Sequence, residues 1–417
     1  MEYGCIGNPL GHSWSEDIHR LLGDYKYRLK ELASDEVGPF LTARAFRGIN
    51  VTIPYKQTVI PYLDVIDPEA AAVGAVNTIV NRDGRLCGYN TDLYGMRQLL
   101  AVNGIALTGR SVAILGTGGT SLTARAVARG EGARRIIRVS RTPSEADEIS
   151  YMDLRRIAPE VDVLINTTPV GMFPYEDASP VWPDDFPALQ SVVDVVYRPM
   201  NTWLVNLARS RGVRAVNGLY MLVAQAAQAA AMFFDDPGMT KKTSAVFRRV
   251  RTDKQNVVLI GMPGCGKSTV GRLLAKRMGR QFFDSDKAVA AKMGMPVPKY
   301  IRTAGESAFR DAETYVLHEL SRQNGAVIAT GGGAVTRQIN VETLSQNGLL
   351  VLLDRPLGEL PVTSGRPLSS DREALACLFR EREPLYRAAA DLVLPVTGSP
   401  EETADRLAEA LKKEVIS

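Results

Sequence analysis

The sequence is poor in cysteine: Cys5, Cys87, Cys265 and Cys377 are the only four in 417 residues, with no CxxC pair and no Cys/His cluster. That spacing argues against a disulfide framework and a zinc-type site, and for a reducing compartment. Long apolar runs are missing too. None reaches the roughly 18 residues of a membrane span, and the richest, LYMLVAQAAQAAAMFF, carries two glutamines and reads as a packed helix. The opening MEYGCIGNPLGHS lacks the basic region and apolar core of a signal peptide, so a cytoplasmic location is expected. Basic blocks interleaved with aromatics are absent, and a net charge of +4 is small for this length. Nucleic acid is therefore not expected as a partner; the modest positive excess suits small anionic ligands. Internal repeats and low-complexity tracts are lacking as well.

What is present is ordinary globular material, 45% hydrophobic and 23% charged, in a chain long enough for two or three domains. In VAILGTGGTSLTARAVARGEGARRIIRVSRT an apolar strand (112–115) enters a glycine turn, an alanine-rich helix follows, and a second apolar strand (136–139) closes a βαβ unit. A similar unit starts at VVLIG (257–261). Between the two, residues 235–255 are polar and without apolar periodicity, and read as an interdomain linker.

The two glycine turns differ in design. Gly116, Gly118 and Gly119 permit a tight turn whose backbone N–H groups approach a pyrophosphate at a helix N-terminus. The third fingerprint position is Ser121 rather than glycine or alanine. At the end of the second strand stands SRT (Ser140, Arg141, Thr142), where an acidic residue would bind the ribose hydroxyls of NAD. Arg141 suits a 2′-phosphate instead, which favours NADP over NAD; a solvated surface arginine is the bland alternative. The second turn, GMPGCGKST, fits G-x-x-x-x-G-K-[ST] in full. The backbone around Gly261, Gly264, Cys265, Gly266 and Thr269 should cradle phosphates, with Lys267 on the β/γ oxygens and Ser268 on Mg²⁺. A nucleoside triphosphate is expected there.

Three short stretches stand out in the first hundred residues. HSWS offers the hydroxyls of Ser13 and Ser15, NVTIPYK places Asn50, Thr52 and Lys56 at a strand end and the turn after it, and GYNTD ends on Asp92. Taken singly, Ser13 and Asp92 also read as helix caps and Lys56 as a surface lysine. As an ordered set with GAVNT, NTTPVGM and GLYMLVAQ, they resemble shikimate dehydrogenase over about residues 1–234. That resemblance implies NADPH-dependent, reversible reduction of 3-dehydroshikimate to shikimate. Lys56 and Asp92 match the catalytic pair. Ser13, Ser15, Asn50, Thr52, Asn77 and Gln225 match the groups that hold the substrate, and Thr168 and Gly218 fall in motifs beside the cofactor. It further implies an α/β substrate domain (1–95, completed by the helix 218–234) and a Rossmann-type NADP domain (96–217). Glu16, Arg20 and Ser140 depart from the residues usual in the family.

After the second turn, FFDSD carries Asp284 and Asp286 on alternate positions. GESAFRDAE sets Arg310 and Glu313 three apart on one helix face. ATGGGAV supplies Gly331, Gly332 and Gly333, SGRPL supplies Arg366, and REPLYRAAAD supplies Arg382. Singly, Arg310 with Glu313 is a helix-face ion pair and the triple glycine a turn. In this order they resemble shikimate kinase, over about residues 256–413. The implied fold is a P-loop, nucleoside-monophosphate-kinase-like α/β domain (256–417). By the resemblance, Arg310 and Arg382 clamp the shikimate carboxylate beside the triple glycine. Asp286 orients the attacking hydroxyl, Asp284 helps hold Mg²⁺, and Arg366 reaches the transferring phosphate from the lid. The second lid arginine usual upstream of Arg366 is missing from GELPVTSGRPL. The expectation is a bifunctional enzyme using NADP(H), ATP and Mg²⁺ on small-molecule substrates. The alternatives are a quinate/shikimate dehydrogenase with a weak or regulatory kinase domain, and a sensor in which one half binds without turnover.

Overall fold

The computed structural model describes residues 1–11, 13–361 and 371–414. The chain divides into two compact units, Met1–Val250 and Arg251–Ser417.

The first unit holds two six-stranded sheets. Strands β1 (Tyr3–Gly7), β2 (Tyr27–Glu31), β3 (Gly48–Val51), β4 (Val65–Ile66), β5 (Thr78–Arg82) and β6 (Arg85–Tyr89) form a mixed sheet in the order β2-β1-β3-β5-β6-β4. Its β5–β6 hairpin turns on Asp83 and Gly84, both at positive φ (52° and 87°). That is the mirror-image two-residue turn which matches strand twist and which an Asp-Gly pair supplies. Strands β7 (Ser111–Leu115), β8 (Arg135–Ser140), β9 (Glu148–Ser150), β10 (Val163–Asn166), β11 (Ser191–Asp194) and β12 (Arg214–Val216) form the second sheet, β12-β11-β10-β7-β8-β9, parallel throughout. Helices cover such a sheet on both faces, so its central strands are buried along their whole length.

The run 219–234 is the helix Leu219–Phe234, with eleven of its residues buried, Gln225 among them. It packs on the helix Thr91–Val102, and Gly95 is what lets it approach. A Cβ there would lie 2.6 Å from the Met221 carbonyl oxygen. Its far end reaches the first sheet, where Phe233 occupies the space a side chain at Gly48 would fill. Arg82 locks this end by donating to the Met232 carbonyl at 2.9 Å and pairing with Asp235.

Residues 235–255, expected as an interdomain linker, are largely helical. A 3-10 segment, Pro237–Lys242, leads into the helix Thr243–Lys254. Val246 and Val250, one turn apart, are buried in a cluster with Trp14, Ile18 and Leu22. Its apolar residues, Ala245, Val246, Phe247 and Val250, are bunched rather than repeated along the helix, so they do not register as periodicity, yet Val246, Phe247 and Val250 suffice for a helix covering the edge of an existing core.

In the second unit, β13 (Asn256–Ile260), β14 (Phe282–Asp284), β15 (Val327–Ala329), β16 (Gly348–Asp354) and β17 (Leu392–Pro395) form a parallel sheet, β14-β15-β13-β16-β17. Both turns met in the sequence leave a parallel strand at its carboxyl end, where α/β folds build their ligand sites. Among the described residues no helix is long and apolar enough to cross a membrane.

Candidate functional sites

Lys56 and Asp92 meet in the first unit from 36 residues apart. Lys56 lies in the turn after β3. Asp92 lies in the first turn of the helix Thr91–Val102, capped by Asn90, whose side chain accepts from the Leu93 N–H at 3.2 Å. Lys56 Nζ donates to Asp92 Oδ2 at 2.6 Å, and the two side chains are only 13% and 10% exposed. The helix N-terminus favours the carboxylate, and the carboxylate holds the ammonium in place.

Nearby, Asn50, Asn77, Thr78, Thr91 and Gln225 form one buried network, with Ser13, Ser15 and Thr52 beside it. Asn50 accepts from the Tyr27 hydroxyl at 2.6 Å and donates to Thr78 Oγ1 at 3.0 Å. Asn77 Oδ1 accepts from the Thr91 N–H at 2.7 Å, and Thr91 Oγ1 donates to Gln225 Oε1 at 3.4 Å. Ser13 Oγ donates to Ser15 Oγ at 3.0 Å, and Tyr197 packs its ring on Trp14, the residue between the two serines in the sequence, with centroids 5.2 Å apart. Burial pushes the Tyr197 phenol up to about 12. Thr52 continues β3, its N–H donating to Ile6. Behind Asn50, His19 is fully buried, stacked on Tyr27 with ring centroids 3.7 Å apart, and its Nδ1 lies 2.5 Å from the Tyr25 hydroxyl. Nε2 has no hydrogen-bond partner among the described residues. Burial lowers the imidazole to about 3, so the ring is neutral.

The glycine turn of the second sheet borders this pair. Gly116 adopts φ +101°, and a Cβ on it would stand 3.0 Å from both Thr167 Oγ1 and Thr168 Cγ2. Gly118 caps the helix Gly119–Gly130, and a Cβ on Gly119 would lie 3.4 Å from Lys56 Cδ. The turn that would hold a pyrophosphate thus touches the stem of Lys56. Thr168 Oγ1 donates to Asn166 Oδ1 at 2.7 Å, and Asn166 Nδ2 donates to Asp194 Oδ1 at 2.9 Å. Asp194, fully buried, also accepts from the Val196 N–H and the Thr202 hydroxyl. Burial nevertheless pushes its carboxyl up to about 7. Gly218 abuts Val195 too closely for any side chain and opens the helix that carries Gln225. Ser140 ends β8 and accepts from the Thr142 N–H at 3.2 Å, while Arg141 and Thr142 are exposed.

In the second unit the loop after β13 uses positive φ at Gly261 (138°), Gly264 (84°) and Gly266 (106°) before the helix Lys267–Met278. These values strain any residue with a side chain. Lys267 is 7% exposed, and its Nζ donates to the carbonyls of Gly261 at 2.7 Å and Met262 at 2.9 Å. Cys265 is fully buried within the loop; Thr269 is exposed on the first helical turn. Ser268 Oγ donates to Asp284 Oδ2 at 2.6 Å, and Asp284 caps the helix Ser285–Met293. A hydroxyl and a carboxylate side by side are hard oxygen donors, as Mg²⁺ requires.

Gly331, Gly332 and Gly333 form the meeting point of this unit. A Cβ on Gly331 would fall 2.5 Å from Asp286 Oδ1 and 2.6 Å from Glu313 Oε1. One on Gly332 would meet Pro263 of the phosphate loop at 2.7 Å, and one on Gly333 the Arg310 guanidinium. Arg382 donates to the Gly332 carbonyl at 3.1 Å, as does the Tyr386 hydroxyl. Arg310 pairs with buried Glu313 at 2.6 Å and with Glu306 at 3.1 Å. Burial opposes its charge, but the two carboxylates hold it above its ordinary value. Burial, with the Asp286 charge adding to it, raises Glu313 against the pull of Arg310. Glu313 Oε1 has no hydrogen-bond partner among the described residues.

The structure adds neighbours that motif reading did not single out: Tyr27, Thr91 and Tyr197 in the first unit, Ser285 and Tyr386 in the second. Ser285 Oγ accepts from the Gly331 N–H at 2.8 Å. Tyr386 had a signal, standing four residues after Arg382 and so on the same helix face. Tyr197 follows a buried strand with no periodic cue. Arg366 lies outside the described residues.

A family model of the shikimate dehydrogenase substrate binding domain matches residues 5–79, and one of shikimate kinase matches residues 263–412. The chain is 37% identical over 241 residues to a shikimate dehydrogenase (NADP(+)) of Clostridium beijerinckii, covering 54% of this chain and 89% of that protein. It is 41% identical over 254 residues to the enzyme of the same description from Halothermothrix orenii, covering 54% and 88%. Among solved structures, shikimate dehydrogenase 1 from Peptoclostridium difficile is similar with a TM-score of 0.56 at 31% identity, over 60% of this chain and 97% of that one. A chorismate mutase/shikimate 5-dehydrogenase fusion protein from Clostridium acetobutylicum gives 0.56 at 36% identity, over 59% and 95%. With relatives above 30% identity spanned over nearly nine-tenths of their length, the chain belongs to the shikimate dehydrogenase family, and over residues 263–412 it carries a shikimate kinase domain.

Proposed function

We propose that the first unit interconverts 3-dehydroshikimate and shikimate with NADP(H), and that the second phosphorylates shikimate with MgATP. The observation that carries the dehydrogenase reading is the ion pair of Lys56 and Asp92 lying against the glycine turn at Gly119. NADPH, when bound, supplies the hydride to the ketone carbon. The chain supplies the proton: the Lys56 ammonium donates to the developing alkoxide oxygen, Asp92 stabilises the ammonium, and solvent restores the proton. Ser13, Ser15, Asn50, Thr52, Asn77 and Gln225 hold the carboxylate and hydroxyls, with Tyr27 and Thr91 orienting the two asparagines. The glycine turn, with Thr168 and Gly218, fits a dinucleotide through its cradle at a helix N-terminus, and Ser140, Arg141 and Thr142 fit a 2′-phosphate.

In the second unit, the loop around Gly261, Gly264, Cys265, Gly266, Ser268 and Thr269 holds the nucleotide phosphates. Lys267 exchanges its loop carbonyls for phosphate oxygens, and Ser268 and Asp284 hold Mg²⁺. MgATP, when bound, supplies the phosphoryl group. Arg310 and Arg382 clamp the shikimate carboxylate beside Gly331, Gly332 and Gly333, and Asp286 accepts the proton of the attacking hydroxyl. Arg366 neutralises charge on the transferring group. Positioning and neutralisation are what this chemistry needs. Cysteines without disulfide bonds fit a reducing cytoplasm.

The test is substrate and cofactor preference. The purified protein oxidises shikimate with NADP⁺ faster than quinate with NAD⁺, and ADP release depends on shikimate. Preference for quinate with NAD⁺, or ADP release indifferent to shikimate, overturns the proposal.

A further inference from the structure

The bulkiest side chain among the fully buried ones is a charged one, Arg138. It lies on β8 two residues before Ser140, directly opposite Glu148 of β9 in the strand register. Arg138 Nη2 and Glu148 Oε1 are 2.5 Å apart, and each side chain is 2% exposed. Glu148 does more than balance the charge. Its other oxygen accepts from the Ser144 N–H at 2.8 Å, the Ser144 hydroxyl at 3.3 Å and the Glu145 N–H at 3.4 Å. Backbone amides and Arg138 together hold its carboxyl below the ordinary range against the opposing effect of burial. Arg138 also reaches the exposed loop, with Nη1 at 2.6 Å from Glu145 Oε2 and 3.3 Å from Asp147 Oδ1. Arg125, on the helix after the glycine turn, takes the other Asp147 oxygen at 3.1 Å.

A buried ion pair is a poor way to join two strands, since apolar residues of like volume usually hold them as well or better. This pair does something apolar residues would not do. It closes the base of the loop 141–147, which begins with Arg141 and Thr142. It also commits the carboxylates of Glu145, Asp147 and Glu148 to arginines, so that they do not repel an anion at Arg141.

We infer that Arg138 and Glu148 are positioning residues for cofactor choice: they fix the loop so that Arg141 meets a 2′-phosphate. This rests on the reading of residues 140–142 given above. The test uses the full-length chain, with kcat/KM measured for NADP⁺ and for NAD⁺ against shikimate. The variants are the apolar swap Arg138→Met with Glu148→Leu, and Ser144→Pro, which removes the amide and hydroxyl of residue 144 that Glu148 accepts from while leaving the buried pair intact. Kinase turnover by the second unit serves as the internal measure of intact protein.

Each variant should lower kcat/KM for NADP⁺ about tenfold, mainly through KM, as expected for loss of one charge-assisted contact. The NAD⁺ value should stay within about twofold, because NAD⁺ has no phosphate for the loop to meet. Arg141→Gln should abolish the preference by itself. If Arg141→Gln leaves the preference intact, the underlying reading of the site fails. If Arg141→Gln abolishes it but Ser144→Pro leaves it whole or lowers both cofactors equally, the pinning inference is overturned. If the apolar swap weakens both cofactors equally, the pair serves only the strand junction and the inference is again wrong.

Discussion

Replacing His19 by glutamine should remove about 2 kcal/mol of acid sensitivity from the first unit. The imidazole is fully buried, stacked on Tyr27 and held at Nδ1 by Tyr25, and burial lowers it from 6.5 to about 3. The folded value is depressed, so between these two values the unfolded chain binds a proton that the folded chain refuses. The stability this contributes is complete above about pH 6.5 and is lost as pH falls toward 3. At pH 5.0 the unfolded ring sits about one and a half units below its own value, which costs about 2 kcal/mol. Asp194 works with the opposite sign. Its carboxyl is raised to about 7, so it adds stability as pH falls through that value. The wild-type profile sums the two effects, and only the difference between wild type and variant isolates His19. All three tryptophans, Trp14, Trp182 and Trp203, fall in the first unit, so their fluorescence during urea unfolding reports that unit alone. Between pH 7.5 and pH 5.0 the wild type should lose about 2 kcal/mol more than His19→Gln. Equal losses would refute the neutral, buried imidazole.

Three further outcomes are expected. Lys56→Met and Asp92→Asn should each lower dehydrogenase kcat by roughly a hundred- to ten-thousand-fold, as loss of general acid–base catalysis does, with kinase turnover unchanged in the same sample. Arg310→Met strands Glu313 without its cation in a buried site, so kinase unfolding should show a loss of about 3–5 kcal/mol together with a raised KM for shikimate; unchanged stability would mean that the pair is not buried as described. Chelation with EDTA should abolish phosphorylation and spare NADP⁺ reduction, because Ser268 and Asp284 belong only to the kinase unit.

What could be read in advance was whatever carries a local physical constraint. The phosphate loop was legible because Gly261, Gly264 and Gly266 all stand at positive φ. The opening strand of the second sheet was legible because a buried parallel strand is a continuous apolar run, as in VAIL. Lys56 and Asp92 are different. A separation of 36 residues implies no contact, and only the ordered motifs of a known family suggested one. The residues missed act through tertiary structure. Tyr27 belongs to no motif, and its hydroxyl meets Asn50 only once the chain is folded. Arg138 lies within the apolar strand 136–139, and its partner shows only when Glu148 appears opposite. The helix Thr243–Lys254 shows no periodicity in the sequence because Val246, Phe247 and Val250 are its only apolar contacts with the core, the rest is strongly polar, and the core it covers is assembled elsewhere in the chain.

The central claim is that one chain makes shikimate and then consumes it. Purified protein given 3-dehydroshikimate, NADPH, ATP and Mg²⁺, with NADPH loss and shikimate 3-phosphate followed together, tests it most directly. The account predicts that both signals appear, that Lys56→Ala stops both, and that Lys267→Ala stops only the phosphate signal and leaves shikimate to accumulate. In the Lys56→Ala sample, added shikimate should restore phosphorylation. NADPH loss with shikimate accumulating in the wild type would contradict the kinase half, and no NADPH loss from 3-dehydroshikimate, with phosphorylation appearing only once shikimate is added, would contradict the dehydrogenase half.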